Sequence, residues 1–207
     1  MAYSGGSGGF SISAELDGTV LGTGIDAAQP ERRKVRINSA NATINNLAEW
    51  ISAIWLTPAM DRLFVDGAGA RRRFLDRLVL ALEPGHARNA AKLEGALRER
   101  NRLLAEASEP DPQWLDAIEG QLAEAGSDVS KARLRLVERL SAALEALPEA
   151  PFARPALRYE PGGPIEAGDL AAALAASRRR DRAAQRTLTG PHRDELAVTM
   201  SGKDQPA

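Results

Sequence analysis

Hydrophobic and polar residues alternate at the start of the chain, which predicts a half-buried β-strand over residues 10–16. The next two residues, Asp17-Gly18, form a strong hairpin signal because both positions tolerate a positive φ. Further strands are predicted over residues 19–25 and 34–38, so the chain opens with a small antiparallel meander. The apolar positions of the first strand are Phe10, Ile12, Ala14 and Leu16.

The hydrophobic period then changes from two residues to that of a helix. Asn46 followed by Glu49 has the spacing of a capping box, and Leu47, Trp50, Ile51 and Ile54 follow at helical intervals. Further helices are predicted from about Arg71 to Leu82, from about His86 to Ala107, and over residues 169–182. Each is bounded by Gly or Pro residues or by polar loops.

The longest regular pattern follows Asp111-Pro112, a good N-cap and first helical residue. Apolar residues recur there at steps of three and four, over about 33 residues or roughly 50 Å of helix. A short turn before so long a pattern predicts an antiparallel helical hairpin that forms an arm. The repeating positions are Leu115, Ile118, Leu122, Ala125, Val129, Ala132, Leu136, Leu140, Ala143 and Leu147.

The rest of the chain returns to short strands, predicted over residues 156–160, 187–189 and 196–200. Residues 201–207 are polar and predict a loop. Strands therefore flank a helical insertion, and the predicted fold class is α+β.

Composition excludes several classes of protein. With no cysteine, the chain has neither a disulfide framework nor a cysteine-ligated zinc site. Lys and Arg number 27 against 28 Asp and Glu, so bulk charge favours neither nucleic acid nor membrane. No apolar run approaches the roughly 20 residues that span a bilayer, and the first residues do not resemble a signal peptide. We expect a cytoplasmic protein with no membrane partner.

Motifs for nucleotide or metal binding are weak. The one Gly-Lys pair, Gly202-Lys203, precedes Asp204 and lacks the upstream glycine of a phosphate-binding loop. The two histidines, His86 and His192, lie more than a hundred residues apart, so no metal site is expected. His86, at a helix start, is expected to be solvated.

Two arginine-rich segments are candidates for anion binding. Arg71, Arg72 and Arg73 open a helix, where three cations oppose the helix dipole and suggest an anionic partner. The alternative is a solvated face with one arginine paired to Asp76. The segment 177–193 carries six arginines and one aspartate, which suits polyphosphate or a nucleic-acid backbone but also a merely solvated helix.

Three segments in a fixed order give the chain a family resemblance. They are residues 55–76 (WLTPAMDRLF, then Gly67 and RRRFLD), residues 97–104 (LRERNRLL) and residues 186–196 (RTLTGPHRDEL). Together they resemble the RecF family of DNA replication and repair proteins, and the resemblance covers about residues 10–200.

The resemblance implies an ABC-type ATPase head with antiparallel strands and a helical coiled-coil arm, related in plan to SMC proteins. It implies ATP with Mg²⁺ as cofactors, an ATP-dependent homodimer, and recombination mediator proteins as partners. Such proteins bind DNA at single-strand gaps and at junctions of single and double strands, and help to load the recombinase.

The match to that plan is partial. The P-loop (Walker A), signature and Walker B motifs are missing from the sequence, so we expect a piece of a RecF protein that lacks both ends. We expect no catalytic residue, no tight nucleotide binding and no ATPase activity of the chain alone. The expected regions are a flexible lead (1–9), a partial head (10–64), the helical arm (65–150) and a truncated return to the head (151–207).

Functional residues follow from the matching segments. The resemblance places Asp61, His192 and Arg193 near nucleotide. The DNA-binding candidates are Arg71, Arg72, Arg73, Arg178, Arg179 and Arg180.

Two other functions remain open at this stage. The chain could be a stand-alone interaction module whose coiled-coil arm docks a partner without nucleotide or DNA. It could also be a hydrolase that pairs His192 with Asp194, two residues apart on one face of a strand, although no nucleophile or oxyanion site is evident.

Overall fold

The computed structural model describes residues 8–47, 49–52, 54, 57–106, 108–148, 154–200 and 203–205. The chain divides into two compact units, Met1–Ala53 and Ile54–Ala207. The predicted flexible lead falls largely outside the described residues, as does the apolar pair Trp55-Leu56.

The first unit is an antiparallel sheet in the order β1-β2-β3-β4. Positive φ angles of 48° at Asp17 and 75° at Gly18 confirm the predicted hairpin between the first two strands. The third strand begins five residues earlier than predicted. The strands are β1 (Phe10–Leu16), β2 (Thr19–Asp26), β3 (Gln29–Ile37) and β4 (Ala40–Ala42).

The helix predicted after Asn46 is wrong. Only α1 (Ile44–Leu47), a single turn, is helical here. The Asn46 side chain accepts hydrogen bonds from the backbone N–H and the hydroxyl of Thr43, at 3.1 and 2.7 Å, instead of capping a helix that follows it. Leu47 is half-buried, but the other three apolar positions of the expected helix, Trp50, Ile51 and Ile54, are exposed. A side chain that bonds backward competes with the capping interaction that the spacing suggested.

The second unit is built on three helices, α2 (Ala68–Leu82), α3 (His86–Ala105) and α4 (Pro112–Glu145). Asp111 caps α4 as predicted, accepting a hydrogen bond from Gln113 N at 2.8 Å. α3 and α4 run antiparallel, since Asn89 bonds Asp128 at one end and Arg100 bonds Glu119 at the other. No helix in the described part of the chain is long and apolar enough to cross a membrane.

The repeating apolar positions of α4 are buried over the first two thirds of the helix. Ala143 and Leu147, at its end, are exposed. Gly126 lies where Leu170 and Pro191 pack, at 3.0 and 3.1 Å from the position of a Cβ atom, so the glycine lets two elements approach the helix. The buried members are Leu115, Leu122, Ala125, Val129, Ala132 and Leu136.

A second antiparallel sheet, in the order β5-β6-β7, completes this unit. Its strands are β5 (Pro155–Glu160), β6 (Glu195–Met200) and β7 (Lys203–Gln205), with α5 (Ala167–Ala183) between the first two. Residues 187–189, predicted as a strand, are irregular because polar side chains hold their backbone in place of a neighbouring strand. Residues 203–205, predicted as loop, pair with β6.

Candidate functional site

Residues 187–194, here called the turn segment, connect α5 to β6. Pro191–Arg193 form one turn of 3₁₀ helix, preceded by Gly190 with a φ of 127°. Gly162 and Gly163 lie directly against the segment, and a Cβ atom on Gly162 would come within 2.6 Å of Gly190 O. These close approaches require glycine, and they fix the path of the backbone.

Arg100 of α3 holds the start of the turn segment. Its guanidinium is fully buried and donates to Asp181 at 2.8 Å and to the Thr187 hydroxyl at 2.9 Å. Its Nε also donates to Glu119 at 3.0 Å. The neighbouring Asn101 accepts hydrogen bonds from both the N–H and the hydroxyl of Thr187, each at 2.8 Å. Helix α3 thereby fixes Thr187.

Arg133 of α4 holds the end of the turn segment. It donates to Pro191 O and to the Asp194 carboxylate, both at 2.8 Å, and makes a two-point contact with Asp76 at 2.9 and 2.7 Å. Asp194 is fully buried and also accepts hydrogen bonds from the Tyr159 hydroxyl and from Gly162 N. Arg133 thus joins α2, α4 and the turn segment.

Charges near Arg133 shift the pKa values of their neighbours. Burial alone would raise the pKa of Asp76, but hydrogen bonds from His86 and Arg133 outweigh it and lower that pKa below its ordinary value. The pKa of Tyr159 is raised by burial and by the Asp194 carboxylate. The Asp76 carboxylate is therefore held ionised and the Tyr159 phenol neutral.

Two expectations about this region are wrong. His86 is 4% exposed, not solvated, and its Nε2 lies 2.8 Å from Asp76. The partner of Asp76 is Arg133, not a member of the arginine triplet. Both errors have one cause: α4 brings an arginine 57 residues away to the carboxylate.

The arginine triplet at the start of α2 is divided among three environments, because successive helical residues point about 100° apart. Arg71 is buried and makes a two-point contact with Glu195 at 2.6 and 2.9 Å. That hydrogen bond lowers the pKa of Glu195. Arg72 is half-buried and donates to Asp194 O at 2.9 Å. Arg73 is exposed.

Three arginines and one histidine lie around the exposed side of the turn segment. We call this group the turn cluster, and it consists of Arg72, Arg180, His192 and Arg193. Arg180 donates to the Thr189 hydroxyl at 3.2 Å, while Arg193 is exposed. Burial lowers the pKa of Arg72, and repulsion from Arg133 and Arg193 lowers it further. The carboxylates of Glu195 and Asp194 act on Arg72 from nearby, but no carboxylate is bonded to the guanidinium group of any of the three arginines among the described residues.

His192 is the polar centre of this cluster. Its Nε2 lies 2.9 Å from Thr187 O, while its buried Nδ1 has no hydrogen-bond partner among the described residues. Burial lowers its pKa, and Arg193 and Arg72 add to that effect. His192 does not contact Asp194, which Arg133, Tyr159 and Gly162 occupy. The His192–Asp194 pair of the hydrolase alternative is therefore absent from the described residues.

The remaining candidates do not gather at this place. Arg178 is bound to Glu119 and Asp116 between α4 and α5. Arg179 is exposed near the carboxyl end of α5, on the side where it lines a shallow surface with Glu109 and Pro110. Asp61 is exposed in the 3₁₀ turn Pro58–Arg62. The structure therefore brings together Arg72, Arg180, His192 and Arg193, and leaves Arg71 and Arg178 neutralised.

Sequence reasoning missed the buried groups that hold the turn segment. A usable signal was present for Arg100, which follows Leu93 and Ala96 and precedes Leu104 at helical spacing. An arginine on an apolar helix face is rarely buried unless it is paired. Arg133, four residues after Val129, gives the same signal.

Curated relatives identify the family. The chain is 46% identical to the DNA replication and repair protein RecF of Mesorhizobium japonicum over 225 aligned positions, which cover 100% of this chain and 59% of that protein. It is 42% identical to RecF of Brucella suis biovar 1, covering 97% and 56%. The chain is a homologue of RecF. The resemblance inferred from three segments is confirmed, and RecF of Caulobacter vibrioides, at 44% identity over 90% of the chain, agrees.

The chain spans between half and three fifths of the length of these RecF relatives. No family model matches it. A solved structure of the recombination mediator protein RecF-ATPrS in the RecFOR pathway superposes with a TM-score of 0.79 at 18% identity, over 95% of this chain and 57% of that one. A RecF-ATP structure gives 0.75 at 21% identity, over 93% and 54%.

These superpositions confirm the α+β class and the RecF ATPase-type fold with antiparallel strands. The coiled-coil arm remains a prediction, as do the four predicted regions of the chain.

Proposed function

We propose that this chain serves RecF-type recombinational repair by contacting the phosphate backbone of DNA with the turn cluster. The DNA would be a single-strand gap or a junction of single and double strands, and the outcome would be help in loading the recombinase. Recombination mediator proteins and an ATP-dependent homodimer belong to the same proposal. Support comes from the homology to RecF and from the position of the cations.

One observation carries the proposal: Arg193 is exposed on a backbone that two buried arginines hold in place, and Arg72 of α2 is bonded to that backbone at Asp194 O. A binding side chain on a fixed backbone loses little conformational entropy when it binds its ligand. Arg72 and Arg193 have no carboxylate bonded to their guanidinium groups among the described residues, whereas Arg71 has Glu195. Phosphate oxygens are the anions that DNA offers at such a surface.

We expect no tight nucleotide binding by the 207-residue chain alone, because its sequence has no P-loop. Among the described residues, no group of three or more His, Asp or Glu side chains could hold a metal ion. ATP gating is proposed for a longer RecF-type protein. In that protein, Asp61, His192 and Arg193 are the candidates to lie near the nucleotide.

The test is a salt titration of DNA binding by the 207-residue chain. Fluorescence anisotropy with a labelled gapped duplex compares wild type with Arg72→Gln/Arg193→Gln. Loss of two phosphate contacts is expected to weaken binding at least tenfold at about 0.1 M salt, and to reduce the slope of log K against log salt by about 1 to 2. Loss of the hydrogen bond from Arg72 to Asp194 O is expected to lower the unfolding free energy by about 1 kcal/mol, and the exposed Arg193 is expected to change it by about 0.5 kcal/mol or less.

A matched control makes the same change in net charge at two positions outside the turn cluster. Arg98→Gln/Arg139→Gln removes two exposed cations from α3 and α4. An equal loss in both double variants would show that total charge, not the turn cluster, sets DNA affinity.

The interaction-module alternative rests on the antiparallel α3–α4 pair, beside which a groove of about 450 Å³ is lined by polar residues such as Asn89, Lys92 and Glu124. Wild-type chain that binds no gapped duplex at low salt would favour this alternative.

A further inference from the structure

The sheet of the first unit has two chemically different faces. Residues paired directly across neighbouring strands share a face, so the register assigns each residue to one side. One face is apolar and includes Leu21 and Val35, which are 3% and 5% exposed. The other face carries serines on β1, glycines on β2 and cations on β3. Its members are Ser11, Ser13 and Glu15 on β1, Val20, Gly22, Gly24 and Asp26 on β2, Lys34 and Arg36 on β3, and Asn41 on β4.

The two glycines make a trough along the middle of this second face. Ser13 pairs with Gly22 and Ser11 with Gly24 on one side, while Arg36 and Lys34 pair with the same glycines on the other side. The resulting concave surface has a volume of about 350 Å³. Hydroxyl groups therefore line one wall of the trough, and cationic side chains line the other.

The fold requires one glycine of the trough but not the other. A Cβ atom on Gly24 would lie 2.4 Å from Phe10 O, so β1 excludes any side chain there. A Cβ atom on Gly22 would have no neighbour closer than 3.8 Å. Glycine inside a strand costs stability relative to other residues, and it often marks a place where a ligand comes close to the backbone.

The cations of the trough differ in their freedom. Lys34 forms an ion pair with Asp26 at 3.0 Å, and both side chains are about half exposed. Such a surface pair is weak and readily exchanged for another anion. Arg36 is exposed and has no hydrogen bond or ion pair with any described residue. Glu15, on the same face at the end of β1, limits the cationic surface on one side.

We propose that this trough binds the phosphate backbone of a DNA strand, with Arg36 and Lys34 as the cationic contacts and the serine hydroxyls as donors. The inference rests on the proposed DNA-binding function and adds a second contact surface, located on a different unit from the turn cluster. Sequence-independent contact is expected because phosphate contacts carry no information about the bases.

The chain contains a close control for Arg36. Arg33 lies on the same strand but on the apolar face, with its guanidinium 5.7 Å from the centre of the Phe10 ring. Arg33→Gln therefore removes the same charge from the same strand without touching the trough. Gly22→Val fills the trough without changing charge, and a β-branched residue suits a strand.

The experiment measures binding of labelled oligothymidylate to the 207-residue chain over a range of salt. Arg36→Gln is expected to weaken binding several-fold and to reduce the salt slope by about 0.7, the value for one phosphate of a single strand. Gly22→Val is expected to weaken binding at least as much, with an unchanged or raised melting temperature. Arg33→Gln is expected to bind within twofold of wild type.

Two results would contradict the proposal that the trough binds DNA. One is equal weakening by Arg33→Gln and Arg36→Gln, which would reflect overall charge. The other is wild-type affinity in Gly22→Val. Arg72→Gln/Arg193→Gln, measured in parallel, separates the two surfaces: loss only in that variant would reject the trough and keep the turn cluster. A loss of DNA affinity only in Arg36→Gln and Gly22→Val would support the trough and reject the turn cluster.

Discussion

The interior beneath the turn segment and the surface above it use the same residue type for opposite purposes. Below, Arg100 and Arg133 are 0% and 4% exposed, and each is bonded to carboxylates and to backbone oxygens. Above, Arg72 and Arg193 have no carboxylate bonded to their guanidinium groups among the described residues. The buried arginines position the backbone of the turn segment, and the arginines on or beside that backbone that lack a bonded carboxylate are available to an anion. The count of arginines in a segment therefore says little about DNA binding.

The largest loss of folding stability should follow from replacing a buried arginine beneath the turn segment. Arg100→Met would leave the inaccessible Asp181 without its cationic partner, and the nearly inaccessible Glu119 with Arg178 alone. Removal of one member of a buried ion pair costs about 3–5 kcal/mol. Urea denaturation should show that loss in the unfolding free energy. A loss below about 1 kcal/mol would mean that Arg100 does not hold the turn segment.

A smaller loss of folding stability should appear at acidic pH, and the lowered pKa of Asp76 sets its direction. The folded-state pKa of Asp76 is lowered from 3.8, and that of Glu195 from 4.5, so the stability they confer is present above those values. It is lost as the pH falls through the lower folded-state pKa values. Asp76→Asn should cost about 2 kcal/mol at pH 7 and should flatten the decline of stability between about pH 5 and pH 3. A decline as steep as that of wild type would contradict this assignment.

The smallest effect should come from the surface, through His192. Burial lowers its pKa from 6.5, so the unfolded chain takes up a proton at a pH where the folded chain does not. Stability should therefore fall by about 1 kcal/mol or less as the pH drops below about 6.5. His192→Asn should remove that decline in urea titrations at pH 7.5 and 5.5. An undiminished decline would assign the titration to another group.

Most elements of this fold could be predicted from the sequence, because their signals are local. The Asp17-Gly18 turn needs only two residues with positive φ, and Asp111 needs only the helix that it caps. The helix expected after Asn46 failed because a neighbouring threonine competes for the same side chain.

The candidate site was predictable only as a segment. The motif at residues 186–196 identified the region, but the sequence could not tell Arg71 from Arg72. Arg71 is neutralised by Glu195, 124 residues away, and such long-range pairing leaves no local pattern. The buried arginines on apolar helix faces were the available clue to the supporting network.

The central claim is that Arg193 touches DNA, and site-specific crosslinking tests it most directly. A photoreactive side chain would replace Arg193 in one sample and exposed Arg139 of α4 in another, each irradiated with a gapped duplex. If Arg193 contacts DNA, the yield of crosslinked DNA from position 193 should exceed the yield from position 139. The crosslink from position 193 should disappear as the salt concentration rises. Equal yields from the two positions would contradict the claim.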